Sequence, residues 1–230
     1  MENNNTTIIK NVKKELVEIG KKLSEKGFVI GPGGNTSVRV KSGSQDIVYM
    51  KASGICFETA TEQDYIGIDL QTGDIIDGEK KPTCEILMHI GCYKIRNDIS
   101  AVVHTHPPYS IIYAMSGKQL KAFTPDFVAI VASKVPVIKY VKPGGKELAD
   151  EVSKVIKKYN AVFMTNHGLL TVGSNLKEAY YRTLFLEDSC KILIYAKLLG
   201  KMKFFTEKEY NELDNLDAEK YRRKMLKDTK

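Results

Sequence analysis

The sequence holds no apolar run approaching the roughly 20 residues needed to span a bilayer, and its first residues lack the charged-then-apolar pattern of a secretory leader. Its cysteines, Cys56, Cys84, Cys92 and Cys190, show no CxxC spacing, so reduced thiols in a cytoplasmic protein are expected. Internal repeats, a low-complexity region beyond the first few residues, and a linker that would argue for a second domain are all missing. The 230 residues, 43% hydrophobic and 27% charged, describe an ordinary globular chain able to bury a core without staples, most simply as one domain. A net charge of +7 suits anionic partners, but the lysines are spread along the chain rather than clustered with aromatics. Small anionic ligands are therefore expected rather than nucleic acid, and no membrane contact.

Histidine is scarce too, and the four present are unevenly placed. His104 and His106 end the apolar run Ala101-Val102-Val103, where Pro107 and Pro108 forbid further ladder pairing. Positions i and i+2 of a strand share a face, so both imidazoles project to one side, a geometry suited to gripping a metal. The same pair also describes polar positions on a half-solvated strand, so the rest of the chain has to decide.

Along the chain, Ile8, Val12, Leu16, Ile19 and Leu23 recur at helical spacing, with Gly27 placed to cap the helix. Met1 to Asn5 is polar and expected to fray. The run Gly31-Pro32-Gly33-Gly34-Asn35-Thr36-Ser37 leads into a strand; glycines let backbone N–H groups wrap a phosphate, and an ordinary polar loop has the same composition. It is neither a dinucleotide nor a Walker fingerprint, because both of those open a helix. Lys51-Ala52-Ser53-Gly54 is a second turn fit for the same anion. Lys81-Pro82-Thr83-Cys84-Glu85 begins a helix to about Arg96, with Thr83 as N-cap, and a helix start favours both a phosphate and the carboxylate of Glu85. His89, one turn on, reads as a satisfied helix histidine facing the core.

Tyr109 to Met115 reads as helical, ended by Gly117, and Val128 to Ala132 as an apolar segment of undecided type. Lys134 to Ile138 reads as an edge strand containing Pro136. A helix follows Gly145. Ala161 to Val172 is two short strands or one bent at Gly168, with His167 at the bend. Ser174-Asn175 with Glu178 is a capping box opening a helix to about Leu199. Residues 201–230 are charged and helical in flavour, expected as a solvated tail.

Three histidines on strand ends and one acid at a helix start form the ligand inventory of a catalytic divalent site. A cupin also uses His-x-His, but no acid follows His106 within a few residues and cupins lack this many helices. In order and spacing, Gly34-Asn35-Thr36-Ser37, Lys51-Ala52-Ser53-Gly54, Lys81-Pro82-Thr83-Cys84-Glu85, His104-Thr105-His106 and Asn166-His167-Gly168 resemble the class II aldolase/adducin family over about residues 8–200. Residues 1–7 would then be a disordered N-terminus and 201–230 a charged helical tail.

The resemblance implies an α/β fold, a three-layer α/β/α sandwich around a mixed, mostly antiparallel sheet, assembled as a homotetramer with sites at subunit interfaces. It implies a Zn2+ ion on His104, His106 and His167, one per subunit, with Glu85 as a replaceable ligand that moves off to act as acid and base. Mn2+, Co2+ or Fe2+ would also suit these donors. Substrate phosphate would be held by Gly34, Asn35, Ser53, Gly54, Thr83 and Cys84. The implied reaction is that of a metal-dependent aldehyde-lyase: a ketose 1-phosphate, such as L-fuculose 1-phosphate, cleaved reversibly to dihydroxyacetone phosphate and an aldehyde through a metal-stabilised enediolate. A ribulose-phosphate epimerase, another sugar-phosphate lyase of the family and a noncatalytic adducin-like module are the alternatives.

Two features depart from the family pattern. Thr83-Cys84 stands where two serines are frequent, and a thiol is a poorer donor than a hydroxyl. The proton-donating tyrosine of a neighbouring subunit has no assigned counterpart; Tyr113, Tyr210 and Tyr221 are candidates, and Asp126 lies in the region of one.

Overall fold

The computed structural model describes residues 2–43 and 45–228. Helical spacing of apolar residues becomes α1 (Glu2–Glu25), with Leu16, Ile19 and Leu23 buried. The helix ends where Gly27 turns to φ 69° and the Phe28 N–H donates back to the Leu23 carbonyl at 3.0 Å. Residues 2–7, expected to be unstructured, form the first turns of α1. They carry no apolar periodicity and so left no helical mark in the sequence.

A meander follows: β1 (Asn35–Ser42), β2 (Gln45–Lys51), β3 (Tyr65–Asp69) and β4 (Ile75–Asp77), each antiparallel to the last. Next come α2 (Ile86–Ile95), β5 (Ala101–Thr105), α3 (Pro108–Met115), β6 (Leu120–Lys121), α4 (Pro125–Ile130), β7 (Lys134–Val135), β8 (Val137–Ile138) and α5 (Lys146–Ile156). The chain closes with β9 (Ala161–Met164), β10 (Gly168–Gly173), α6 (Leu176–Ala196), α7 (Glu207–Asp214) and α8 (Asp217–Lys227).

Eight strands form one sheet in the order β4-β3-β2-β1-β5-β10-β9-β8. Among the described residues only β8 and β9 pair in parallel, so the sheet is mixed and largely antiparallel. β5 lies at its centre. Alternation along β5 sends Val102 into a core with Met88 and Cys92 of α2 and Leu148 and Val152 of α5. Ala101 and Val103 enter a core with α1 and with Leu176 and Ala179 of α6 on the other face. A third cluster joins Phe127 of α4 and Leu186, Cys190 and Leu193 of α6 to Phe163 and Leu169. This is the expected α/β/α sandwich. Each buried valine of β5 contributes roughly 1.5–3 kcal/mol, so the strand carrying His104 is a rigid platform.

Four further readings are settled differently by the structure. α2 starts at Ile86, with Glu85 rather than Thr83 at the N-cap position, because an Ala52–Pro82 bridge and the Ser53 N–H to Lys81 carbonyl bond (2.9 Å) hold residues 81–82 extended against the end of β2. The undecided segment at Val128 is helix α4, capped by Thr124, whose hydroxyl accepts from the Phe127 N–H. Pro136 divides the expected edge strand: β7 pairs with β6, and β8 forms the rim of the main sheet. The tail is helical but not simply solvated. Met202, Phe204, Phe205, Tyr210, Leu213 and Leu226 are half-buried against the third cluster, and Asn175 Nδ2 donates to the Leu226 carbonyl at 3.0 Å. Among the described residues no helix is long and apolar enough to cross a membrane.

Candidate active site

His104 is the β-ladder partner of Asn35 on one side and Leu170 on the other, and by strand parity it faces the layer that contains α2. It is fully buried, and its Nδ1 lies 3.0 Å from the Leu169 carbonyl, an acceptor, so Nδ1 carries a hydrogen and Nε2 points into the site. His106 Nε2 stands 3.1 Å from His104 Nε2. His167 comes from the turn joining β9 to β10 and completes a cluster whose three ligand atoms lie within 4.8 Å of one another.

Glu85 enters from the start of α2. Its Oε2 is 3.2 Å from His104 Nε2 and its Oε1 is 3.2 Å from His167 Nε2. Asn35 Nδ2 donates to the same Oε2 at 2.9 Å and to Thr83 Oγ1 at 3.2 Å. Burial by itself would raise the Glu85 pKa, but the adjacent imidazoles, His104 first and then His167, and the hydrogen bond from Asn35 outweigh it and hold the carboxyl well below the usual carboxylate range. Burial likewise opposes a proton on His104, yet Glu85 raises its pKa. His106 is pushed down to about 3, first by burial and then by the charges of His104 and His167.

The donor set fits a divalent ion. Three imidazole nitrogens and one carboxylate are borderline ligands of the zinc type, and bond lengths of about 2.0–2.1 Å set donor atoms roughly 3.4 Å apart on a tetrahedron. Three separations here, 3.1 Å between His104 and His106 and 3.2 Å from each Glu85 oxygen to a histidine, are close to that, and the histidine atoms all lie within 4.8 Å of one another. Glu85 Oε1 and His167 Nδ1 are buried without a hydrogen-bond partner, and a cation bound to the cluster would satisfy the first of them.

A cavity of about 390 Å³ opens on this cluster. Glu85, His106 and His167 line it together with Gly34, Asn35, Ser53, Gly54, Thr83 and Cys84, so the six residues expected to hold phosphate reach the same space as these side chains, whereas Gly31, Thr36 and Ser37 of the first loop do not. His104 stands behind the wall. Thr83 does not cap α2; its hydroxyl accepts from the Glu85 N–H at 3.3 Å. Asn35 turns its side chain onto Glu85, Thr83 and His89 rather than leaving it free for an anion.

Lys51 also lines the cavity and was not singled out. Its ammonium donates to the Pro32 and Ile55 carbonyls and lies 4.9 Å from the Phe57 ring centroid. Burial lowers its pKa to about 8, against the opposing pull of Cys56 and Asp64. The lysine at the head of Lys51-Ala52-Ser53-Gly54 was the available signal; its burial was not. Tyr113, Tyr210 and Tyr221 do not line the cavity, and Asp126 is ion-paired with Arg222.

Two backbone features bring His167 in. Asn166 adopts φ 56°, a left-handed conformation that asparagine tolerates. Gly168 follows, and a Cβ there would lie 2.4 Å from the Thr105 carbonyl, 2.8 Å from His106 Cδ2 and 3.3 Å from His104 Cε1. Gly168→Ala is therefore expected to destabilise the fold by about 1–3 kcal/mol, as overpacking does, and to weaken metal binding together with it. Urea unfolding and metal titration of the purified variant check both; an alanine variant matching the wild type in each would show that the rings do not need this close approach.

An α/β/α sandwich that gathers three histidines and a carboxylate beside glycine-turn loops defines a metal-site enzyme fold. The chain belongs to the class II aldolase and adducin family: residues 14–194 match the family described as Class II Aldolase and Adducin N-terminal domain. It is 34% identical over 178 residues to an L-fuculose phosphate aldolase of Methanococcus maripaludis, covering 77% of this chain and 93% of that one. It is 32% identical over 209 residues to a 5-deoxy-D-ribulose 1-phosphate aldolase of Bacillus thuringiensis serovar kurstaki, covering 91% and 95%. A solved L-fuculose 1-phosphate aldolase superposes with a TM-score of 0.84 at 32% identity, over 92% of this chain and 96% of that one. Class II aldolases are metal-dependent, and the protein is an enzyme of this type, an aldehyde-lyase.

Proposed function

We propose that the protein is a Zn2+-dependent aldolase that cleaves a ketose 1-phosphate, such as L-fuculose 1-phosphate, reversibly to dihydroxyacetone phosphate and an aldehyde through an enediolate. One observation carries the reading: a single cavity is lined both by Glu85, His106 and His167 of the histidine–carboxylate cluster and by the glycine-turn loops. The named substrates of the aldolase relatives are ketose or deoxyketose phosphates, in keeping with such a cavity.

His104, His106 and His167 would hold the ion through Nε2, with Glu85 as the exchangeable fourth ligand. When bound, the ion supplies Lewis acidity toward the ketose carbonyl and its neighbouring hydroxyl. In condensation the Glu85 carboxylate takes the proton from the carbon beside the ketone, and in cleavage it returns that proton. Backbone N–H groups at Gly34 and Gly54, the hydroxyls of Ser53 and Thr83, and the Lys51 ammonium hold the phosphate end, so binding energy there orients the reacting carbons. Cys84 sits where a stronger donor would grip phosphate more tightly.

The homotetramer belongs to the same proposal. α3 exposes Ile112 and Met115, the end of α6 exposes Ile192 and Tyr195, and Leu198 and Leu199 follow. The rings of Tyr109 and Tyr195, 6.2 Å apart, bring these elements together, and an apolar surface of this kind suits burial against another copy.

The deciding measurement is metal analysis of the purified enzyme with a panel of ketose 1-phosphates and pentulose 5-phosphates, scoring triose phosphate release against epimer formation. Triose phosphate from at least one ketose 1-phosphate is expected. Epimerisation of a pentulose 5-phosphate with no triose phosphate from any ketose would replace the aldolase reading by the epimerase one.

A further inference from the structure

The fourth histidine stands outside the metal cluster. His89 lies one turn beyond Glu85 in α2, fully buried, and both ring nitrogens are occupied: Nε2 is 2.5 Å from Asn35 Oδ1 and Nδ1 is 2.7 Å from Ser37 Oγ. Ser37 Oγ is in turn 2.8 Å from the Tyr93 hydroxyl.

Counting donors assigns the direction of each bond. The Glu85 carboxylate only accepts, so the NH2 end of Asn35 must face it and Oδ1 must face His89. Oδ1 also only accepts, so His89 Nε2 carries a hydrogen. The ring is fully buried and its two nitrogens meet only the uncharged Asn35 and Ser37 side chains, so it is neutral and Nδ1 accepts from the Ser37 hydroxyl. The Tyr93 hydroxyl then donates to Ser37, through Oγ or the carbonyl oxygen 2.9 Å away.

An asparagine amide has two nearly isosteric orientations, and here they have opposite consequences. Turned over, Asn35 would set Oδ1 against Glu85 Oε2 and its NH2 against the His89 N–H, leaving acceptors facing acceptors and donors facing donors. We propose that His89, as the Nε2–H tautomer fixed by Ser37, is a positioning residue: it locks the Asn35 amide so that Asn35 holds Glu85 in register with the histidine cluster. His89 touches neither cavity nor metal-facing atoms, so it acts on turnover only through Asn35. The inference rests on the reading of Glu85 as the acid/base of an aldolase.

His89→Leu keeps bulk and removes the donor, whereas His89→Gln retains an N–H able to reach Asn35 Oδ1. His89→Leu is expected to lower kcat about 10- to 100-fold, the scale of lost outer-shell partners, with KM and metal content close to wild type. His89→Gln is expected to recover most of that loss. Nitrogen NMR of the wild-type chain with labelled histidine reads the tautomer independently of any substrate and of whether the leucine variant folds; a neutral Nε2–H ring at neutral pH is expected. An Nδ1–H ring or an imidazolium, wild-type kcat in His89→Leu, or equal impairment of the leucine and glutamine variants would each overturn the proposal. Should the wild-type enzyme cleave no ketose 1-phosphate, the aldolase reading fails by itself and the tautomer still decides the role of His89.

Discussion

Exchanging Glu85 for glutamine is expected to lower turnover by about 10²- to 10⁴-fold, the range that a positioned general acid/base supplies, while most of the bound metal stays. The two effects separate because the proposed function gives the carboxylate two roles. As a ligand it would be one of four donors, and the three histidines converge without it. As a proton carrier nothing would replace it: the other titratable groups lining the cavity are His106 and His167 of the histidine cluster, the thiol of Cys84, and Lys51, whose ammonium is tied to the Pro32 and Ile55 carbonyls. Glutamine keeps the side-chain length and an oxygen able to accept from Asn35 Nδ2, so the surrounding bonds survive. Steady-state kinetics with elemental analysis on the same preparation separate the roles. A fully active glutamine variant would remove Glu85 from proton transfer, and an inactive, metal-free one would make it chiefly a ligand.

His106→Ala is expected to empty the metal site. Of the two histidines in His-Thr-His, His106 is the better choice because it is partly exposed at the end of β5, whereas His104 is enclosed and bonded to Leu169, so its loss would confound metal binding with folding. Removing a direct ligand should weaken affinity by more than the roughly 10- to 100-fold typical of outer-shell losses. Stability gives a second readout. An ion that binds only the folded state adds about 2.7 kcal/mol at a hundredfold excess over Kd, so added Zn2+ should raise the wild-type melting temperature and leave that of the variant nearly unchanged. Full metal content in His106→Ala would make His-Thr-His a structural pair.

What could be read in the sequence was what neighbours along the chain decide. The α1 stripe Leu16-Ile19-Leu23 and its Gly27 stop follow from helical periodicity and one residue free to take positive φ. The opening of α6 follows from Asn175 and Glu178: the Asn175 side chain accepts from the Glu178 N–H, and the Glu178 carboxylate accepts from the Ser174 N–H. The shared face of His104 and His106 follows from strand parity. Together with motif order these also sufficed for the family and the α/β/α sandwich.

Pairing between distant segments decided the rest. Asn35 could be read as a loop residue near an anion; only the β1–β5 register, which sets it opposite His104, turns its amide onto Glu85 and His89. Thr83 had the chemistry of an N-cap, and the Ala52–Pro82 bridge moved the helix start to Ile86. Lys51 could be read as the head of the turn Lys51-Ala52-Ser53-Gly54, and only its burial at the end of β2 placed it in the cavity wall. The charged tail concealed apolar side chains that found cover against α4 and α6. His89 was legible as a satisfied core histidine, but its partners, 52 and 54 residues away, were not. Periodicity, capping and parity are short-range properties that a linear pattern records. Burial and hydrogen-bond direction depend on which remote atoms arrive, and those are set only when the sheet closes.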